Sequence, residues 1–144
     1  MMWLNTSTMI KVTGKRRNKS DINKKAAAVA LALGIECDVN VYFMEHTSPD
    51  KYGFNAEIMG SQYICIFKDC PEDKLGEVIS HEMVHVLQTL KGDLRHDYMN
   101  QTFYWKGEIY NPERLTTLDY YDRPWEAAAK KLEKNLAESF FMSN

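Results

Sequence analysis

Apolar and polar positions along the 144-residue chain follow two periods, and the switches between them mark out its elements. Residues 8–13 (TMIKVT) read as a short strand. Ser20 or Asp21 can cap a helix running through KKAAAVALAL to Gly34, which sits where a helix ends in the left-handed conformation. The alanines of that helix permit close packing on a sheet. Next, IECDVNVYFM alternates, with Ile35, Cys37, Val39, Val41 and Phe43 on one face and Glu36, Asp38 and Asn40 on the other, the pattern of a half-buried strand. HTSPDKYG is a loop, and NAEIMG and SQYICIF are two strands joined near Gly60 and Ser61.

The period then becomes helical. PEDKLGEVISHEMVHVLQTLKG reads as one helix, with Pro71 in its first turn, Glu72 and Asp73 at its positive end, and Gly92 as its stop. Leu75, Val78, Ile79, Val86 and Leu90 recur at helical spacing and would fix it in a core. Clear periodicity is then lost until QTFYWKGEIYN, whose residues around Lys106 and Gly107 predict a tight hairpin. Such a hairpin either flaps over a cleft or completes the fold. The last helix begins near Asp122 and Pro124 and runs through WEAAAKKLEKNLAESFF, with Trp125, Ala128, Ala129, Leu132, Leu136 and Phe140 as its buried stripe. The expectation is a single α+β domain over 1–144: an N-terminal helix, a small antiparallel or mixed sheet, the long central helix and a C-terminal helix. In such an arrangement a sheet edge can hold an extended peptide.

Composition is ordinary for a globular protein, and the formal net charge is only −2. The charge is uneven. Between Lys11 and Lys25 stand seven bases (Lys11, Lys15, Arg16, Arg17, Lys19, Lys24, Lys25) and one acid, Asp21. The rest then holds 11 bases against 19 acids, a charge of about −8. A basic stretch of this kind is a solvated loop and helix start, or a contact for nucleic acid. Cys37, Cys65 and Cys70 form no C-x-x-C pair, which argues against a disulfide framework or a cysteine zinc site and fits a reducing compartment. MMWLNTSTMIKV lacks a signal-peptide pattern, and no apolar run reaches membrane-spanning length, so a cytoplasmic location and no membrane partner are expected.

The chemistry concentrates in HEMVH, residues 81–85. On a helix His81 and His85 lie one turn apart, so both rings project from one face and can grip one ion. Glu82 lies beside them as the base that a metal-assisted attack of water requires. Two of only four histidines thus flank a glutamate within apolar surroundings. The plainer reading is an amphipathic helix with two buried histidines.

Two histidines leave a zinc site incomplete. The pattern H-E-x-x-H-x-x-G-x-x-H would need glycine at 88 and histidine at 91, where the chain has Gln88 and Lys91. Two candidates remain. His96 follows His85 by a spacing similar to that of SprT-like proteases, which use a third histidine, although those normally have glycine where this chain has Asp97. Glu126, near the start of the last helix, can face a neighbouring helix across the small alanines 127–129 and is the better placed. Its alternative is a first-turn acid serving the helix N-terminus.

HEMVHVLQTLKG, the YWKGEIY hairpin and YYDRPWEAAA together resemble a family of small phage-encoded metallopeptidases, over roughly residues 52–130. More broadly the chain is similar to minimal gluzincins, whose third zinc ligand is a glutamate on the helix after the motif. The resemblance implies a zincin-like core, a Zn2+ cofactor held by His81, His85 and Glu126, and Glu82 as general base. The family often has a further acid where this chain has Ala128. The expected function is peptide-bond hydrolysis, on a protein or peptide substrate, in the cytoplasm of a host cell if the protein is phage-encoded. Tyr120, Tyr121 and His96 are candidates for donors to the developing oxyanion. The rival readings are a zincin-fold binding or regulatory protein with little turnover, a nucleic-acid-associated protease guided by Lys11–Lys25, and a structural zinc domain.

Overall fold

The computed structural model describes residues 9–142 and forms an α+β fold. Thr8 and the stretch before it lie outside the described residues. Strand β1 (Ile10–Gly14) leads through helix α1 (Lys19–Ala32) to β2 (Val39–Phe43), and β3 (Gly53–Ile58) and β4 (Ser61–Ile66) follow. They form one sheet in the order β1-β2-β4-β3. It is mixed: β1 pairs with β2 and β2 with β4 in parallel, while β3 runs antiparallel to β4 as an edge strand. The long helix α2 (Glu72–Leu90) follows β4.

Past α2 the chain builds a second sheet, which the sequence pattern reveals only in part. β5 (Leu94–Asp97), β6 (Thr102–Trp105) and β7 (Glu108–Tyr110) form an antiparallel three-stranded sheet in that order. The β6–β7 turn is the expected one, with Lys106 and Gly107 both at positive φ between the paired Trp105 and Glu108. Strand β5 is too short to declare a period, and the short helix α3 (Pro112–Leu115) escapes notice for the same reason. A single 3-10 turn (Tyr120–Asp122) then leads into helix α4 (Pro124–Phe140).

Several boundaries and faces differ from expectation, each for a local reason. The alternating run begins to pair only at Val39. Ile35 is instead the buried residue that closes α1, its N–H donating to Ala30 O while Gly34 takes φ 75°. At the other end of α1 the capping position belongs to Asn18, in the left-handed conformation, and Ser20 and Asp21 lie inside the first turn. Pro71 likewise sits just outside α2, at its N-cap. Leu90 is 44% exposed, because α2 turns the face bearing Leu75, Ile79, Met83 and Val86 toward the main core. On α4 Leu132 is 39% exposed, and Glu133, roughly 100° further round the helix, is buried in its place.

Two apolar clusters result. The larger joins α1, the sheet and α2 around Val29, Val41, Ile64, Ile79 and Met83. The smaller gathers Leu94, Tyr110, Leu115 and Trp125, with Phe103 and Trp105 against it. The hairpin's aromatic face therefore packs on α4 and completes the fold. Part of the basic stretch is also consumed internally: Arg16 donates to Cys70 O at 3.0 Å and pairs with Glu72, and Lys25 pairs with Asp21. Among the described residues no helix is long and apolar enough to cross a membrane.

Candidate metal centre

The site forms where α2 lies against α4. Leu75, Ile79, Met83 and Val86 set the rotation of α2 in the main core, which turns His81, Glu82 and His85 toward α4 and the cleft beside it. Pro124 starts α4, and the burial of Trp125 in the second cluster orients its first turn. Glu126 then faces α2. Its Oε1 stands 2.9 Å from His81 Nε2 and 3.1 Å from His85 Nε2, and the two Nε2 atoms are 3.1 Å apart. Among the described residues, His81, His85 and Glu126 are the group of metal-ligating side chains that can hold an ion.

The other ring nitrogens are also engaged. His81 Nδ1 is 2.9 Å from Glu133 Oε1, and His85 Nδ1 is 2.8 Å from Gln88 Oε1. A carboxylate only accepts, so Glu133 fixes the proton of His81 on Nδ1 and leaves Nε2 bare. Its lone pair meets Glu126 Oε1 at close range in a buried setting. Such a meeting of acceptors requires positive charge, supplied by protons or by a metal ion. The spacing suits an ion, since ligand atoms about 2.0–2.1 Å from a tetrahedral zinc stand roughly 3.3 Å apart. The donor set fits zinc.

The charges respond accordingly. Burial pulls His81 down, but Glu126 and Glu133 outweigh it and lift it to about 10. His85 is raised in the same contest, with Glu126 again prevailing over burial. Glu126 would be pushed up by burial, yet the two imidazoles hold it at about 2. Glu82 goes the other way. Burial raises it more than His85 and His81 lower it, which makes its carboxylate a better base than an exposed one.

The centre opens onto a cleft of about 810 Å³, bordered by His81, Glu82, Glu133, Tyr120, Tyr121 and the loop leading into Gly53 at the start of β3. Tyr120 lines the cleft with about half of its surface exposed. Burial, then the nearby carboxylate of Glu126, push its phenol well above the ordinary value. Tyr121 borders the same cleft, its ring under the Lys130 ammonium at 5.0 Å. His96 is elsewhere: its ring stacks on Phe103 at 4.0 Å and meets the tilted ring of Tyr98 at 4.0 Å. Of the two candidates for a third ligand, Glu126 is thus the one brought to the histidines.

Glu133 and Gln88 were not singled out from sequence as site residues. The available signal for Glu133 was its spacing of seven from Glu126, which repeats the same helix face after two turns. For Gln88 it was a polar residue on the inward side of an otherwise apolar helix end. Compared with known proteins, the chain matches no family model, no curated protein and no solved structure.

Proposed function

We propose that the protein is a zinc-dependent peptidase, with His81, His85 and Glu126 holding the ion and Glu82 acting as general base. The observation that carries this reading is the convergence of three ligand atoms beside a buried, basic glutamate at the wall of an open cleft. A structural zinc site would instead be closed by a fourth protein ligand. When bound, zinc polarises a carbonyl and lowers the pKa of water. Glu82 takes the proton of the attacking water and delivers it to the leaving amine. Tyr120, at the cleft wall, is placed to donate its phenolic proton to the developing oxyanion. The edge strand β3 leaves the cleft at Gly53 and offers its backbone to an extended peptide.

Metal analysis of the purified protein, paired with cleavage of an unfolded casein, tests the proposal. Glu82→Gln is expected to abolish cleavage while zinc stays bound. Zinc binding without cleavage by the wild type would favour a binding protein over a hydrolase.

A further inference from the structure

We infer that Gln88 is a positioning residue, which transmits the polarity of one backbone carbonyl to His85 and thereby decides which ring nitrogen faces the metal position. The carbonyl oxygen of Trp125 can only accept, and Gln88 Nε2 donates to it at 3.1 Å. That orients the amide and turns its oxygen to His85 Nδ1, 2.8 Å away. An amide oxygen also only accepts, so Nδ1 carries the ring proton. Nε2 is left as a bare lone pair, 3.1 Å from both Glu126 Oε1 and His81 Nε2. Turning the amide round would set its oxygen against the Trp125 oxygen, so the buried network permits one orientation.

The same side chain spans α2 and α4. Trp125 immediately precedes Glu126, so a link from Gln88 to the Trp125 carbonyl also sets the spacing between the histidines and the third ligand. Gln88, His85 and Trp125 are all buried, which keeps water from substituting for any partner. Trp125 is itself held by its ring, stacked on Phe103 at 4.8 Å and met edge-on by Tyr110 at 5.1 Å. Phe103 in turn stacks on His96. The second sheet therefore braces the Trp125 ring, and the carbonyl of the same residue meets Gln88. His81 needs no such relay, because the Glu133 carboxylate cannot donate to it in its charged form.

This inference rests on the metal-binding reading but not on peptide hydrolysis, and its test is read on binding. Zinc affinity of the full chain is measured by competition with a chromophoric chelator. Nitrogen-15 NMR of the zinc-loaded protein reports which nitrogen of His85 carries the proton. Gln88→Met keeps the volume and loses both hydrogen bonds. It is expected to lower zinc affinity by about 10- to 100-fold with the circular dichroism unchanged. Gln88→Glu keeps an oxygen on Nδ1 and is expected to bind at least about tenfold more tightly than Gln88→Met. A folded Gln88→Met that loses less than about tenfold, or a wild-type His85 protonated on Nε2, overturns the inference. If Gln88→Met does not fold, the nitrogen-15 spectrum of the zinc-loaded wild type decides: a proton on His85 Nδ1 supports the relay, and one on Nε2 overturns it. A wild type that binds no zinc would instead sink the metal centre itself.

Discussion

Helices α2 and α4 meet along the candidate metal centre, yet they are held in place by different forces. α2 is seated by its apolar face: Leu75, Ile79, Met83 and Val86 are all buried in the main core. Each such side chain contributes about 1.5–3 kcal/mol by leaving water, whether or not an ion is present. The inward face of α4 reads Glu126, Ala129, Glu133 and Ala137, two carboxylates and two alanines. Its fully buried large side chain, Trp125, belongs to the second cluster, while Leu136 and Phe140 toward its C-terminal end pack, partly buried, against the main core. The first half of α4 is therefore seated against α2 largely by polar contacts that depend on the charge between them, and its last turns by apolar ones. One helix is the platform, and the other is an arm whose first turns are held through the contacts of Glu126 and Glu133 with His81 and His85.

The sharpest way to break this comparison is to remove the arm's ligand. Glu126→Ala should lower zinc affinity by more than the about 100-fold typical of losing an outer partner. Amide exchange should then rise along α4 while α2 stays protected. Equal loosening of both helices would show that α2 also needs the ion.

Acidity tests the same charge balance in chelated protein. His81 is raised to about 10, so its contribution is fully present below its ordinary 6.5 and is lost as pH climbs through about 10. Glu126 is lowered to about 2, so its contribution is present above its ordinary 4.5 and is lost as pH falls through about 2. Chelated protein should therefore melt highest between these ordinary values and lose stability on the alkaline side, where zinc-loaded protein holds. A flat alkaline limb in thermal melts with chelator would contradict the assignment.

Next in size is Glu133→Gln, which removes the charge behind His81 and keeps the helix face. A loss of about 10-fold or more in zinc affinity is expected, read by the same chelator competition. On the platform, Gly76→Ala probes packing rather than charge. A methyl there would stand 2.6 Å from Phe141 Cβ and 2.8 Å from its Cγ. The clash costs about 1–3 kcal/mol and outweighs the helix-propensity gain of about 1 kcal/mol, so denaturant melts should show a net loss. Smallest of all is Leu132→Ala, at an exposed position, with a change within about 0.5 kcal/mol. A loss of several kcal/mol would restore Leu132 to the buried stripe.

Local relations were legible from the chain. The pairing of His81 with His85 needs only one turn of helix, and the Lys106–Gly107 hairpin only a two-residue loop with positive φ. The parallel sheet followed less directly. Alternation marked Val39, Val41 and Phe43 as inward, but α1 had to act as a crossover before β1 and β2 could pair in parallel.

Three matters were decided only in three dimensions. The rotation of α4 buried Glu133 in place of Leu132, the second sheet carried His96 away to stack on Phe103, and Gln88 found the carbonyl of Trp125. The physical reason is common to all three. Helical and hairpin periods fix which residues share a face within one element, because covalent geometry spans those distances. Which face meets which neighbour is set by the summed packing of segments far apart in the chain, such as those of His81 and Glu133, 52 residues from one another. No local pattern carries that sum.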